Sequence, residues 1–233
     1  MISKNSLDPA WLSQVSLKNR KADKILVEKV IRALLLLEGL AEARVSFIFK
    51  GGTALMLMLE STKRLSIDID IIMPEKQDLE PVFEEIVRAK RFNRFELQER
   101  IQNSDIEKAH YKFFYYPSHR TAQAEEYILL DILLEKPAYQ KTITIPIDSP
   151  FLQQEGEAEM VTVPSFEDIL ADKLTAFAPN TTGIPYQKKG QSMAMEIIKQ
   201  LYDVGCLFNH AKDGTVICKT FGLSQQPSSV TGK

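Results

Sequence analysis

Apolar residues recur at Leu26, Val30, Ala33, Leu34 and Leu37, the spacing of one buried helix face, and this predicts a helix over residues 22–43. The basic residues around its start, Lys18, Arg20, Lys21, Lys24 and Lys29, read as a solvated face. Arg44 to Phe49 is rich in β-branched and aromatic residues and predicts a buried strand. Gly51-Gly52 breaks it, and Thr53 to Glu60 predicts a short helix. From Leu65 to Met73 the residues alternate with the period of a second strand. Leu79 to Phe92 predicts an amphipathic helix, with Pro81 in the first turn, where its missing N–H does no harm. Further strands are predicted around Phe95–Ile101, Tyr111–Tyr116, Tyr127–Leu134, Thr142–Ile147 and Met160–Val163. Ser165-Phe166-Glu167-Asp168 reads as a capping box, with Asp where Glu is usual, opening a helix to about Phe177 that Pro179 stops. Asn180 to Gln191 reads as a polar loop, Ser192 to Phe208 as a further helix, and Ser224 to Lys233 as a disordered tail.

The order of elements predicts an α+β chain: a mixed sheet flanked by helices, then a helical C-terminal part. The expected division is 1–163 for the α/β core with its N-terminal helix, 164–223 for the helical part and 224–233 for the tail. One helix and a polar tail are short for a bundle, which predicts that the natural chain continues beyond them.

Composition narrows the class. At 44% hydrophobic and 26% charged residues, the 233-residue chain is that of a soluble globular protein, not a charged tail or a fibrous repeat. The formal net charge of -2 does not announce a nucleic-acid partner, so only a local basic patch could serve one. The apolar run Ala33 to Leu37 is far shorter than the roughly 20 residues that cross a bilayer. The N-terminus lacks the apolar core of a signal peptide, and a cytoplasmic protein is expected. Cys206 and Cys218 cannot form a disulfide framework or a four-cysteine zinc site. His110, His119 and His210 are scattered without metal-ligand spacing.

The candidate chemistry lies in Phe49-Lys50-Gly51-Gly52-Thr53 and Arg64-Leu65-Ser66-Ile67-Asp68-Ile69-Asp70. On a strand Asp68 and Asp70 share a face, while Leu65, Ile67, Ile69 and Ile71 take the other. Two adjacent carboxylates repel each other unless something cationic sits between them. They suit a hard divalent cation such as Mg²⁺, or Mn²⁺ in its place, which takes oxygen ligands and leaves positions for phosphate. Alone, such a pair is more often a solvated acidic face. Gly51-Gly52, between a strand and a helix start, lets backbone N–H groups approach a phosphate, and the Thr53 hydroxyl could add a donor. Asp131 is a charge within the apolar run Tyr127 to Leu134, where a cation would offset its burial, and is the candidate third carboxylate. Ser66 shares the strand face of Asp68, and Arg64 and Lys50 are candidate phosphate contacts. Of the local basic patches that a nucleic-acid partner would need, Lys188 and Lys189 are the favoured one. Arg88, Lys90, Arg91 and Arg94 read as a solvated helix end.

Lys50 to Ile71 resembles the signature of the AbiEii/AbiGii-type nucleotidyltransferase toxins, within the DNA-polymerase-β-like superfamily. The pattern is a strand, Gly-Gly-Thr-x-Leu, a short helix and Arg-x-Ser-x-Asp-Ile-Asp, matched by Gly51, Gly52, Thr53, Leu55, Arg64, Ser66, Asp68, Ile69 and Asp70. Two later helical motifs of the family appear as Ala171-Asp172-Lys173-Leu174 and Lys199-Gln200-Leu201-Tyr202-Asp203. The resemblance implies a nucleotidyltransferase-like fold that uses an NTP and divalent metal to transfer an NMP to RNA. The tRNA acceptor end is the expected acceptor. It implies a toxin of a toxin–antitoxin or phage-defence pair, with a cognate antitoxin as partner. It also implies catalytic roles for Lys173, toward the nucleotide phosphates or the charge that develops during transfer, and for Asp203, which could orient Lys173 or the acceptor hydroxyl. From the residues alone, both read as surface charges. Two other classes stand beside this one: a non-catalytic nucleotide- or antitoxin-binding protein, and a phosphotransferase acting on a protein or small molecule.

Overall fold

The computed structural model describes residues 1–59, 64–90, 92–98, 107–118, 124–178 and 183–224. The elements are α1 (Pro9–Lys18), α2 (Lys24–Glu42), β1 (Ile48–Lys50), α3 (Gly51–Met58), β2 (Ile69–Met73), α4 (Glu80–Ala89), β3 (Arg94–Leu97), β4 (Glu107–Tyr115) and β5 (Glu126–Leu134). They continue with β6 (Thr142–Pro146), β7 (Met160–Pro164), α5 (Phe166–Phe177), β8 (Gln187–Lys188), β9 (Gln191–Ser192), α6 (Ala194–Phe208) and α7 (Gly214–Ser224). The chain divides into two compact units. One holds residues 1–136 and 144–162, the other 137–143 and 163–233.

The first unit is built on a five-stranded sheet in the order β1-β2-β5-β4-β3. β2 and β5 run parallel and the remaining pairs antiparallel, so the sheet is mixed. Side chains alternate across it. Ile69, Ile71, Ile128, Leu130, Ile132, Phe113 and Tyr115 are buried on one face. There Phe83 of α4 meets the rings of Phe95, Tyr111 and Phe113 edge-on, with centroids 4.8–5.4 Å apart. Lys50, Asp70, Asp131, His110 and Lys112 belong by register to the opposite face. Helix α2 opens where the periodicity predicts. Asp23 caps it, accepting the Ile25 N–H at 2.7 Å, and its buried run extends from Val27 to Leu40.

Two of the differences from expectation bear on the site. β2 begins only at Ile69, and the carbonyl of Asp68 just before it accepts the Thr53 hydroxyl at 2.6 Å. Helix α4 ends at Ala89, not Phe92. Lys90 folds back into the core, donating to Glu38 at 2.6 Å and Glu42 at 2.8 Å. Arg94 is therefore a strand residue, not part of a solvated helix end, while Arg91 lies outside the described residues.

The second unit holds α5, α6 and α7. Ser165 caps α5, accepting the Asp168 N–H at 3.2 Å. The Asp168 carboxylate, fully buried, reaches further than a capping box requires. It accepts the N–H groups of Gln140 at 2.9 Å and Lys141 at 3.0 Å and the hydroxyls of Ser165 and Thr220. One side chain thus ties the incoming segment, α5 and α7 together. Asp168→Ala would leave two backbone donors and two hydroxyls unpaired in the interior. We expect a loss of about 3–5 kcal/mol in stability, read as a lower denaturation midpoint of this unit, and a smaller loss in Asp168→Asn. The predicted loop contains a hairpin, β8–β9, turned by Lys189 (φ 50°) and Gly190 (φ 77°). Two consecutive positive-φ residues define the primed turn that suits strand twist. The predicted tail beyond Ser224 lies outside the described residues, as does Pro179.

Candidate active site

Strand register assembles the site in the first unit. Lys50 opposes Asp70, Asp70 stands beside Asp131, and Asp131 opposes His110. The result is a row across four strands: ammonium, carboxylate, carboxylate, imidazole. His110 Nδ1 lies 2.6 Å from Asp131 Oδ1. An ionised carboxylate only accepts, so the imidazole N–H donates and occupies one of the two Asp131 oxygens. Asp68 is exposed and lies just before β2, beside the row and not in it.

The turn between β1 and α3 lies against this row. Gly51 has φ +80°, and a Cβ there would stand 2.1 Å from Oδ2 of Asp70. Only glycine permits both the backbone angle and that closeness. A Cβ on Gly52 would stand 2.7 Å from the Arg64 guanidinium and 2.7 Å from the Ser66 hydroxyl. Gly51, Gly52, Arg64, Ser66 and Asp70 are thus packed around one turn. No side chain caps α3, whose first turn carries N–H groups with no partner inside the helix. Thr53 does not offer its hydroxyl to a ligand, since it is buried and bonded to Asp68 O; only its N–H remains for that role.

Among the described residues, no three His, Cys, Asp or Glu side chains close around a point that could hold a metal ion. The row supplies a pair of carboxylates with Asp68 nearby. That donor set fits Mg²⁺, which usually takes one or two carboxylates and completes its shell with water and substrate phosphate.

In the second unit Lys173 and Asp203 form a buried pair, Nζ to Oδ2 2.9 Å, although each read from the residues alone as a surface charge. Lys188 and Lys189 are exposed at the β8–β9 turn. His110 is the site residue that sequence reasoning passed over. Its only signal is even spacing along a strand whose partner and register are non-local. No helix among the described residues is long and apolar enough to cross a membrane.

The family model for the nucleotidyl transferase AbiEii toxin of type IV toxin–antitoxin systems matches residues 35–219. The JHP933 protein of Helicobacter pylori is similar in structure, with TM-score 0.50 and 16% identity over 82% of this chain and 70% of that one. A Helicobacter pylori protein provisionally assigned as a nucleotidyltransferase gives TM-score 0.50 and 18% identity over 83% and 72%. An antigenic nucleotidyltransferase-like protein of Paracoccidioides brasiliensis gives 0.49 and 15% over 85% and 88%. No curated protein matches in sequence. The Helicobacter pylori likenesses concern the fold. The family match spans the glycine turn, the aspartate row and the Lys173–Asp203 pair, and this chain belongs to the AbiEii family of nucleotidyltransferase toxins.

Proposed function

We propose that the chain moves a nucleoside monophosphate from an NTP to a hydroxyl of RNA, with tRNA the expected acceptor, in a reaction that requires a divalent cation. The observation that carries this reading is the Asp70–Asp131 pair lying in register beside a turn whose glycine cannot bear a Cβ. Asp70 and Asp131 would hold Mg²⁺ or Mn²⁺, with Asp68 adding negative charge nearby. When bound, the cation supplies charge stabilisation at the attacking and leaving oxygens.

The chain's own groups do the rest. The N–H groups of Gly51, Gly52 and Thr53 face the start of α3 and bind phosphate oxygens, helped by the positive end of the helix dipole. Arg64 and Ser66, packed at Gly52, donate to the same triphosphate. Lys50, in register with Asp70, adds positive charge next to the carboxylates. His110 holds one oxygen of Asp131 and fixes the carboxylate's orientation, leaving the other oxygen for the reacting centre. Asp203 holds the Lys173 ammonium in a fixed position within the helical unit.

The test uses each NTP in two labelled forms with total tRNA. Label on the α-phosphorus is expected to enter RNA, and label on the γ-phosphorus to leave as pyrophosphate. Excess EDTA should stop both. Transfer of the γ-label to protein or a small molecule would favour phosphotransfer, and no transfer with any NTP would favour a binding protein.

A further inference from the structure

The face of the sheet that carries the aspartate row continues along β5 and β4 into a second cluster. Tyr127 lies four residues before Asp131 on the same strand, hence on the same face and about 13 Å along it. Phe114 is its register partner on β4, and Arg94 is the partner of Phe114 on β3. The rings of Tyr127 and Phe114 lie 5.9 Å apart. Three cations lie over these rings. Lys112 Nζ is 4.5 Å and Lys29 Nζ 5.6 Å from the Tyr127 centroid, and the Arg94 guanidinium is 3.7 Å from that of Phe114. Tyr127 is 40% exposed, unlike the buried rings of Phe113 and Tyr115 on the opposite face.

Such a surface has a physical preference. Two of its cations are already matched by carboxylates: Lys29 by Glu126 at 2.9 Å, and Arg94 by Glu125 at 2.8 Å. Lys112 touches no carboxylate among the described residues; its contact is the Tyr127 ring. A duplex gripped only through its phosphates would want a dense positive patch, which is missing among the described residues. Bases of a single strand have π-faces that stack on aromatic rings and on guanidinium planes. One uncommitted lysine beside the rings suits a single phosphate. A protein partner would favour a broader apolar area than two rings framed by charge.

We propose that Tyr127, Phe114, Arg94 and Lys112 form a stacking platform for the single-stranded end of the RNA acceptor, whose reacting hydroxyl lies at the Asp70–Asp131 row. This rests on RNA being the acceptor, as proposed above. The bases behind the reacting end lie along the sheet, and Lys112 meets the phosphate between the platform and the row.

The test is binding of a dye-labelled single-stranded oligoribonucleotide by fluorescence anisotropy, in EDTA so that transfer does not intrude. Tyr127→Leu is expected to weaken binding about tenfold, one stacked base being worth roughly that or more. Tyr127→Phe, which keeps the ring, should stay within about twofold. Lys112→Gln should lower the slope of log K against log salt by about 0.7, the value for one phosphate contact. Iodouridine-substituted RNA should photocrosslink to Tyr127 or Phe114. Unchanged binding in Tyr127→Leu overturns the platform, as does crosslinking confined to the Lys188–Lys189 hairpin, or no RNA binding by the wild-type chain. Ring-dependent RNA binding by a chain that transfers no nucleotide would uphold the platform and refute the transferase reading instead.

Discussion

Asp70→Asn is expected to lower nucleotide transfer by about a thousandfold while the chain stays folded. Asp70 is the centre of the row, with Lys50 on one side, Asp131 on the other and Gly51 against its Oδ2. Removing its charge takes away one of the two in-register carboxylates that would hold a divalent cation. The charge stabilisation lost is several kcal/mol, and about 4 kcal/mol corresponds to a thousandfold in rate. Asn has almost the same shape, so the packing at Gly51 persists. Asp131→Asn should act alike. The check is single-turnover transfer beside a thermal denaturation curve: near-wild-type rates in both variants would remove the row from the chemistry.

Gly51→Ala is expected to lower transfer by about a hundredfold and to raise the KM for NTP. The new methyl group would need to occupy space 2.1 Å from Asp70 Oδ2 and 2.9 Å from its Cγ, at φ +80°. Either the carboxylate swings out of the row or the turn opens, and a displacement of about 1 Å at a reacting centre costs on the order of a hundredfold. Gly52→Ala should be milder. Its Cβ would meet the ends of Arg64 and Ser66, flexible side chains that can move, and its φ is not in the left-handed region. Comparing the two variants under NTP titration checks this. Equal damage, or the reverse order, would mean that Asp70 is not what the turn must accommodate.

The elements around the site were legible where the signal was local. Alternation of Ile67, Asp68, Ile69, Asp70 and Ile71 marks a strand with a carboxylate face, and Gly51-Gly52 marks a turn into a helix. Asp131 stood out as a charge among Ile128, Leu129, Leu130 and Ile132. The helix periodicity of Val27 to Leu40 marked α2. What depended on pairing was not legible. His110 meets Asp131 only because β4 and β5 pair antiparallel in one register, and residues 21 apart carry no local trace of that. Thr53 suggested a ligand donor, but the helix turns its hydroxyl onto Asp68 O. Arg94 looked like a helix-end charge because the apolar period runs to Phe92; burial of Lys90 against Glu38 and Glu42 ends the helix earlier.

The helical unit shows the same division. Ser165 and Asp168 announced the start of α5, whereas α7 was not predicted. Gly214, Thr215, Val216, Ile217 and Gly222 are weak helix formers, so α7 owes its existence to packing. Val216 and Thr220 are buried, and Thr220 bonds to Asp168. Lys173 and Asp203, three decades of sequence apart, meet only through the packing of α5 with α6.

The most direct measurement is anomalous diffraction from crystals of the chain soaked with Mn²⁺ and a non-hydrolysable NTP analogue. A manganese peak is expected between the carboxylates of Asp70 and Asp131, with phosphate oxygens on the N–H groups of Gly51 and Gly52. Manganese bound elsewhere, with the triphosphate away from the β1–α3 turn, would contradict that expectation.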